Sequence, residues 1–294
     1  MAIISVFHRP GNLIKLELKN LGRSDVKIPV LGLGTWGIGG FNTKSMIDDD
    51  NDVRALTFGL DLGMRFIDTA EMYADGHSEE VVAKAIENKR ESIFLVTKVS
   101  PEHFSFDGVQ KACDASLKRL RTKYIDLYQA HWPNPRIPIP ETMRAMEKLV
   151  KEGKVRFIGV SNFSVEQTKQ AQAALSTVDV VSNQVEYSLL NRSIEADLLP
   201  YAEREHITII AYSPLARGRI ATSSSHENRW RTMDEIAAKY EKTRNQVALN
   251  WLIAKLPVMA IPKSANLAHL KENIGAQGWK MTREDEDALN RAFA

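Results

Sequence analysis

The stretch Arg65-Phe-Ile-Asp-Thr-Ala-Glu-Met-Tyr-Ala-Asp-Gly-His-Ser-Glu-Glu80 predicts a strand, a loop and the start of a helix. The two apolar residues before Asp68 are typical of a buried strand, and Gly76 allows a turn. Ser78, followed by two glutamates, predicts the N-cap of the helix. The loop carries an acid at its start and a phenol, Tyr73, five residues later. Because loops at strand ends hold many functional side chains, we expect proton chemistry at this rim of the fold.

The order of strand followed by helix repeats along the chain. The predicted strands are 31–35, 65–68, 93–97, 124–130, 155–160, 178–184, 207–211 and 258–261. The predicted helices are 52–62, 78–88, 109–120, 141–151, one opened by a capping box at 164–167, 195–205, one capped by 243–246 that runs to 254, 267–274 and 284–292. Eight such units in about 250 residues or more suit an α/β fold of the closed (β/α)8 TIM barrel type. An open doubly wound sheet is the alternative.

The residues before this alternation predict a cap for one end of the barrel. Residues 15–18 and 26–30 suggest an N-terminal β-hairpin around a turn at 22–25. Residues 1–14 are interpreted as a loose N-terminal extension. No low-complexity linker or long charge block interrupts the rest, so residues 15–294 are predicted to form a single domain.

Composition limits the classes of partner. The 294 residues include 39 basic and 37 acidic side chains, which leaves a formal charge of +2 and no broad footprint for nucleic acid or an acidic membrane. No apolar run is long enough for a secretory signal or a membrane span, which predicts a cytoplasmic protein. The single cysteine, Cys113, excludes a disulfide framework and a cysteine-based metal cluster, and no metal site is predicted.

Proton-handling side chains stand where predicted strands end. Asp68 and Tyr73 belong to the opening stretch, and Lys98 and His131 follow the next two strands. Singly, each has an ordinary interpretation, such as a solvated lysine, a structural histidine, a turn-capping aspartate or an aromatic loop anchor. Jointly they predict one site, because the carboxyl ends of barrel strands meet at one rim.

These four residue types can stage proton transfer to a carbonyl. A tyrosine has an ordinary pKa of about 10, and a nearby cation such as Lys98 is expected to lower it. Asp68 would hold Lys98 by an ion pair, and His131 would orient a carbonyl or phenol by a hydrogen bond. Tyr73 would then protonate a developing alkoxide. None of these side chains donates a hydride, so a nicotinamide cofactor is the expected partner.

The sequence resembles the aldo-keto reductase family from about Leu21 to Asn273. The matching motifs are Gly32-Leu-Gly-Thr-Trp36, Asp68-Thr-Ala-Glu-Met-Tyr73, Gly76-His-Ser-Glu79, Thr97-Lys98, Asp126-Leu-Tyr-Gln-Ala-His-Trp-Pro133, Gly153-Lys-Val-Arg-Phe-Ile-Gly-Val-Ser-Asn-Phe163, Asn183-Gln-Val-Glu-Tyr187, Ala211-Tyr-Ser-Pro-Leu215 and Ile261-Pro-Lys-Ser264. Each motif is weak alone, but their order and spacing are specific. The resemblance implies an NADPH-dependent oxidoreductase that reduces aldehydes or ketones to alcohols, with a catalytic tetrad of Asp68, Tyr73, Lys98 and His131. Within it, Tyr73 would be the general acid in reduction and the base in oxidation.

The resemblance also implies a cradle for the cofactor. Ser161, Asn162 and Gln184 would bind the nicotinamide carboxamide, and Tyr212 would stack on its ring. The other positions assigned to the cofactor are Gly34, Thr35 and Trp36 near the ribose, Ser213, Leu215, Arg217 and Gly218 at the pyrophosphate, and Glu272 and Asn273 at the adenine, together with Asp68 and Ile261.

The position of the 2′-phosphate decides between the two nicotinamide cofactors. Lys263 and Ser264 stand where the family contacts this phosphate, which favours NADP(H). Where many members place an arginine on the same phosphate, this chain has His269. Histidine lacks the planar fork of arginine, and its charge at pH 7 is less certain. NAD(H) is therefore kept as an alternative cofactor.

The expected mouth of the site is aromatic. Substrate contacts are assigned to Trp36, Tyr73, His131 and Trp132, with residues 41–50 and the segment after Asn273 as walls. The expected partner is a small-molecule carbonyl compound, with small aldehydes preferred, and the oligomeric state is left open.

Two other functions fit the same residues. A barrel lyase would use Lys98 as a Schiff-base nucleophile, and borohydride trapping without NADPH consumption would indicate it. A nicotinamide-nucleotide-sensing regulatory subunit, like the channel-associated β-subunits that resemble this family, would bind NADPH tightly with little turnover.

Overall fold

The computed structural model describes residues 16–223 and 227–294. Its strands are β1 (Leu18–Asn20), β2 (Lys27–Pro29), β3 (Leu33–Gly34), β4 (Phe66–Asp68), β5 (Phe94–Val99), β6 (Ile125–Ala130), β7 (Val155–Ser161), β8 (Val180–Glu186), β9 (Thr208–Tyr212) and β10 (Val258–Ala260). Its helices are α1 (Asp49–Asp61), α2 (His77–Ala85), α3 (Phe106–Arg119), α4 (Ile139–Lys151), α5 (Val165–Ala173), α6 (Leu198–Arg204), α7 (Arg219–Thr222), α8 (Asn228–Lys239), α9 (Arg244–Ala254), α10 (Leu267–Ile274) and α11 (Arg283–Ala292). The predicted extension 1–14 and the first predicted hairpin residue, Lys15, lie outside the described residues.

Strands β3 to β10 form one parallel sheet that closes on itself. Each strand pairs with its neighbours in chain order. The two edges are joined by bonds from Gly32 N to Ala260 O (2.9 Å) and from Ala260 N to Val30 O (3.0 Å). A glycine is required at Gly34 on this seam, because a Cβ there would lie 2.7 Å from Ile261 O. The closure confirms the predicted (β/α)8 TIM barrel and excludes the open sheet.

The antiparallel pair of β1 and β2 covers the N-terminal end of the barrel. Leu21 and Ile28 of this hairpin are fully buried in the apolar cluster inside the barrel. The amide of Gly22 donates to the hydroxyl of Thr208, the first residue of β9 (2.8 Å). The predicted hairpin cap is therefore confirmed. Its first strand lies later than predicted, because the ladder with β2 continues up to the turn.

The barrel interior changes from apolar to polar along the strands. Large apolar side chains such as Phe66 fill the part near the hairpin. Toward the C-terminal ends, the strands carry buried polar residues, among them Asp68, Lys98, Gln129 and Gln184. Buried polar groups need partners, so this layer is where hydrogen bonds must be made inside the barrel.

The start of helix α2 differs from its prediction. The helix begins at His77, and Gly76 occupies the N-cap with a left-handed φ of 85°. The prediction that Ser78 is the N-cap is wrong. Its buried hydroxyl donates to Thr35 Oγ1 (3.0 Å) and accepts from Thr69 Oγ1 (3.1 Å). These bonds hold the first turn of α2 against Thr35 and against Thr69, which follows Asp68 directly.

The other helices agree with the sequence in part. The predicted capping box of α5 is present, and the predicted cap of α9 is a capping box as well. The predicted helix 195–205 is a 3-10 turn followed by α6, because Asp197 leaves the helical conformation (φ −144°) and its side chain accepts from the Leu198 amide. Helices α7 and α8 lie where no helix was predicted. The buried residues of α8, Trp230, Met233, Ile236 and Ala237, have a helical spacing that the sequence already shows.

The outer surface of the strands is buried under the helices. One large apolar cluster joins the helices to the outward-facing strand residues. Cys113 is buried in it on α3, and burial raises the pKa of its thiol to about 12. Within residues 16–223 and 227–294, none of the helices is both long enough and apolar enough to cross a membrane. The single domain over residues 15–294 stays a prediction.

Candidate active site

Four side chains from the C-terminal ends of neighbouring strands meet in one buried group. Asp68 ends β4, β5 carries Lys98, and His131 follows β6 directly. Tyr73 opens a 3-10 turn in the loop after β4. None of the four is more than 9% exposed. The parallel barrel accounts for this meeting, because it brings successive strand ends to one rim.

Lys98 is the centre of this group. Its Nζ donates to Asp68 Oδ1 (2.6 Å), to Thr69 O (2.8 Å) and to Tyr73 Oη (3.2 Å). These acceptors match the three N–H bonds of an ammonium group. Burial by itself lowers the pKa of Lys98, but Asp68 and Tyr73 outweigh burial and raise the pKa above its usual value. Lys98 is therefore held as a cation.

Tyr73 keeps its proton at neutral pH. Burial raises the pKa of its phenol, and this effect exceeds the lowering by Lys98. The expectation that Lys98 leaves Tyr73 with a lowered pKa is therefore wrong in its net direction. The reason is that burial destabilises the phenolate more than the neighbouring cation stabilises it. The site holds a protonated phenol beside a fixed positive charge.

His131 is a neutral imidazole. Burial first, and the charge of Lys98 second, lower its pKa to about 2. Its ring packs edge-on against Tyr73, with 5.6 Å between the ring centroids. Its Nδ1 is buried and has no hydrogen-bond partner in the described part of the chain. A neutral imidazole beside the phenol can donate one hydrogen bond to a carbonyl oxygen.

A layer of amides ties Asp68 to the opposite strands. Gln184 Nε2 donates to Asp68 Oδ2 (2.7 Å) and to Gln129 Oε1 (3.0 Å). Gln129 Nε2 in turn donates to Ser182 Oγ (3.2 Å). The sequence analysis gave Gln129 no role, although a glutamine within the largely apolar strand β6 indicates a buried hydrogen bond. This layer fixes the carboxylate that holds Lys98.

Three residues assigned to the nicotinamide, Ser161, Asn162 and Tyr212, are joined by hydrogen bonds near the backbone carbonyl of His131. Asn162, at a left-handed φ of 61° that asparagine tolerates, directs Nδ2 to His131 O (3.1 Å) and to Ser161 Oγ (3.0 Å). Its Oδ1 accepts from Tyr212 Oη (3.0 Å). Ser161 Oγ donates to Gln184 O (2.9 Å). These bonds bring hydroxyl, amide and phenol groups together beside the backbone carbonyl of His131.

Aromatic rings lead from solvent to Tyr73. The ring of Trp36 lies 5.0 Å from that of Tyr73, and the ring of Phe41 lies 6.0 Å from that of Trp36, measured between centroids. Trp36 and Trp132 are nearly half exposed, and Phe41 is more exposed than either. The amide of Ala74 donates to Phe41 O (2.9 Å), which fastens the segment 41–50 to the loop of Tyr73. This contact brings Phe41, the first residue of that segment, next to the loop of Tyr73, and the role of 41–50 as a wall stays a prediction.

The predicted wall after Asn273 is wrong. That segment runs to the other end of the barrel, where the amide of Gly278 donates to Glu17 Oε1 (2.8 Å) and Gln277 Oε1 accepts from Glu17 N (2.8 Å). Glu17 immediately precedes β1 of the hairpin. Helix α10 carries the chain away from the rim, because a helix that follows a barrel strand returns in the opposite direction.

The other residues assigned to the cofactor fall into two groups. Ser213, Leu215, Arg217 and Gly218 lie in the loop after β9, where Arg217 and Gly218 are exposed. Positive φ angles at Ser213, Arg217 and Gly218 turn the backbone of this loop sharply. Thr35 and Ile261 are buried instead, with the Thr35 hydroxyl donating to Asp68 O (3.0 Å). The side chains of Thr35 and Ile261 therefore contact other parts of the barrel and not solvent.

A cavity of about 710 Å³ lies at the start of α10. Its lining residues are Asn51, Arg54, Lys263, Ser264, Ala265, Asn266, Leu267 and His269. The three positions predicted at the 2′-phosphate, Lys263, Ser264 and His269, thus share one cavity. The predicted adenine pair lies outside its lining: Glu272 accepts from Thr243 Oγ1 (2.6 Å), and Asn273 is buried.

Comparison with known proteins gives the family. The sequence model of the Aldo/keto reductase family matches residues 30–292. The chain belongs to the aldo/keto reductase family. This aldo/keto reductase is 38% identical over 269 residues to the methylglyoxal reductase YeaE of Escherichia coli (strain K12), and the match covers 92% of each protein. The resemblance found in the sequence is confirmed.

Solved structures agree with the fold. The thermostable aldo-keto reductase Tm1743, crystallised with the inhibitor epalrestat, matches with a TM-score of 0.90 and 42% identity over 94% of this chain and 100% of that one. An aldo/keto reductase of Klebsiella pneumoniae in complex with NADP and acetate matches with a TM-score of 0.84 and 37% identity, over 95% of this chain and 96% of that one. The aldo/keto reductase described here is therefore an oxidoreductase of the barrel type.

Proposed function

We propose that this aldo/keto reductase uses NADP(H) to reduce aldehydes or ketones to alcohols, with Tyr73 as the general acid. The observation that carries the proposal is the contact of Lys98 Nζ with Tyr73 Oη (3.2 Å). It pairs a phenol that keeps its proton with a cation that stabilises the phenolate left after proton transfer. Asp68 holds this cation in place.

Each residue of the group has one task in the reduction. The bound cofactor supplies a hydride for the carbonyl carbon. Tyr73 holds at Oη the proton that the carbonyl oxygen receives, and Lys98 stabilises the phenolate that remains. Neutral His131 donates a hydrogen bond to the same oxygen and so orients the carbonyl. In alcohol oxidation Tyr73 acts as the base.

The donor set beside His131 suits a nicotinamide amide. Asn162 and Ser161 present amide and hydroxyl groups, and Tyr212 adds a half-buried aromatic ring. Gln184 uses both of its amide hydrogens within the barrel, which leaves its Oε1 as an acceptor for the carboxamide NH₂. The NADP complex of the Klebsiella pneumoniae relative supports the same class of cofactor.

Small aldehydes are the proposed substrate class. The relative from Escherichia coli is a methylglyoxal reductase, and methylglyoxal is a small dicarbonyl compound. Trp36 packs against Tyr73 in this chain, and the exposed parts of Trp36 and Trp132 offer apolar surface to such a molecule. Ketones remain within the proposed range, because hydride transfer and protonation are the same for both.

The surroundings of Lys98 disfavour the lyase alternative. A Schiff base forms on a neutral amine, which must be free to attack a carbonyl carbon. Lys98 has a raised pKa, and all three of its N–H bonds are directed at protein acceptors. The presence of Tyr73 and His131 in contact with each other also favours turnover over a role limited to nucleotide binding.

The substitution Tyr73→Phe tests the proposal, because it removes the acid and keeps the ring. We expect turnover of methylglyoxal and other carbonyl compounds, followed by NADPH absorbance, to fall roughly 10²- to 10⁴-fold. The affinity for NADPH, measured by fluorescence titration, should stay close to that of the wild type. Tyr124→Phe is a matched control, because Tyr124 lies at the opposite end, just before β6. Near-normal turnover of Tyr73→Phe would remove Tyr73 from the acid role.

A further inference from the structure

The cavity at the start of α10 is lined from two sides. The loop after β10 and the first turn of α10 contribute Lys263, Ser264 and His269. Helix α1, which is distant in the sequence, contributes Asn51 and Arg54. A ligand in this cavity would therefore meet side chains from two separate elements.

Arg54 presents an exposed guanidinium at this cavity. Its Nη2 donates to Asn51 Oδ1 (2.9 Å), which is a neutral acceptor. Asn51 Nδ2 in turn donates to Ala265 O (3.5 Å), so Asn51 links Arg54 to the loop that carries Lys263. In the part of the chain that the structure describes, neither Arg54 nor Lys263 has a carboxylate within 4.0 Å. Two cations thus share one cavity without a compensating charge in contact.

The backbone at the start of α10 offers few free donors to an anion. Asn266 Oδ1 already accepts from the amides of Ala268 (2.8 Å) and His269 (3.4 Å). Side chains must therefore supply most of the binding. Two cations in one cavity suit a phosphate monoester, which carries up to two negative charges and accepts bidentate hydrogen bonds from arginine.

We propose that Arg54 binds the 2′-phosphate of NADP(H) and takes the part that other family members give to an arginine at the position of His269. The proposal rests on the proposed function for the class of cofactor. The guanidinium stays charged at every physiological pH and offers two parallel N–H bonds, which histidine cannot do. Arg54 and Lys263 together then make the preference for NADP(H) over NAD(H).

Equilibrium binding without a carbonyl substrate tests this proposal. We would measure by calorimetry the dissociation constants of NADPH, NADH, 2′,5′-ADP and 5′-AMP. Arg54→Gln should weaken NADPH and 2′,5′-ADP about 10- to 100-fold, the usual range for one lost charge-assisted contact, and should leave NADH and 5′-AMP unchanged. Arg54→Lys, which keeps the charge and loses the fork, should recover part of the affinity.

Arg65→Gln is the matched control, because Arg65 is also exposed but precedes β4 at the opposite end of the barrel. It should leave all four dissociation constants unchanged. The proposal is overturned if Arg54→Gln keeps the wild-type affinity for NADPH, whether or not Lys263→Gln loses it. An equal loss of NADPH and NADH would also overturn it, because the phosphate would then not be the group bound.

The inference and the proposed activity fail in different ways. If the wild type binds 2′,5′-ADP through Arg54 but reduces no carbonyl compound, the inference stands and the reductase activity is wrong. If carbonyl reduction proceeds and Arg54→Gln prefers NADPH as strongly as the wild type, the activity stands and the inference is wrong. Failure of the wild type to bind any of the four compounds would contradict both.

Discussion

The two ends of the barrel each contain a lysine whose three N–H bonds are directed at protein acceptors. At the C-terminal end, Lys98 contacts the carboxylate of Asp68, the phenol of Tyr73 and the carbonyl of Thr69. At the N-terminal end, Lys19 of β1 contacts only backbone carbonyl oxygens. The kind of acceptor, and not the number of bonds, separates a lysine that organises chemistry from one that holds the fold.

Lys19 caps the C-terminus of helix α9. Its Nζ lies 2.5 Å from Ile253 O, 2.6 Å from Lys255 O and 2.7 Å from Val258 O. Carbonyl groups at the C-terminus of a helix have no partner within the helix, so a cation there satisfies them. Burial lowers the pKa of Lys19 to about 8. At Lys98, by contrast, the neighbouring acids outweigh burial.

The largest expected effect is on turnover, from Lys98→Met. Methionine keeps much of the length but removes the charge that stabilises the phenolate of Tyr73, so kcat for carbonyl reduction should fall roughly 10²- to 10⁴-fold. The same change leaves Asp68 buried without its partner, which should lower the free energy of unfolding by about 3–5 kcal/mol. Steady-state kinetics and urea unfolding measure the two effects.

The double variant Asp68→Asn with Lys98→Met separates chemistry from stability. Removing both charges should recover much of the free energy of unfolding, because no unpaired carboxylate is left inside the barrel. Turnover should stay as low as in Lys98→Met. Recovery of turnover in the double variant would mean that Lys98 acts only through stability, and the distinction between the two lysines would be lost.

The next effect, at the other end, is expected on stability alone. Lys19→Met should lower the free energy of unfolding by about 2–3 kcal/mol, because three carbonyl groups lose a charged donor. Turnover should remain that of the wild type at temperatures where the variant is folded. Lys27→Met is the matched control, since Lys27 is exposed on the same hairpin, and urea unfolding should show little change. A fall in kcat for Lys19→Met would show that the hairpin also shapes the rim.

The difference between the two ends also explains what the sequence could predict. The group around Lys98 was predictable, because a polar residue after an apolar run indicates the end of a strand. A parallel barrel brings those ends together whatever their distance along the chain. No sequence feature identifies the partners of Lys19. They are backbone carbonyl groups at least 234 residues away, and any residue type could supply them.

Other properties depend on magnitudes or directions that a sequence does not contain. The net pKa of Tyr73 is the balance of burial against a cation, and only the depth of the phenol in the barrel decides its sign. The segment after Asn273 was placed at the mouth because the course of the chain after α10 was unknown. Arg54 was missed for a similar reason, since nothing in the sequence of α1 shows that it faces the cavity at α10.

The smallest effect is a pH dependence that only the functional end should show. Burial lowers the pKa of His131 to about 2 in the folded state, below the ordinary value of about 6.5 for the unfolded chain. Below pH 6.5 the unfolded chain therefore binds a proton that the folded protein does not, and stability present above this pH is lost as the pH falls. Between pH 7 and pH 5 this loss amounts to about 2 kcal/mol.

His131→Gln tests this dependence, because glutamine keeps a polar side chain and does not titrate. Urea unfolding at pH 7 and pH 5 should show that the variant loses about 2 kcal/mol less than the wild type, whatever its stability at pH 7. His206→Gln replaces an exposed histidine just before β9, at the N-terminal end, and should keep the wild-type loss. If His131→Gln and the wild type lose equal stability, His131 is protonated in the fold, and its role as a neutral hydrogen-bond donor to the carbonyl is wrong.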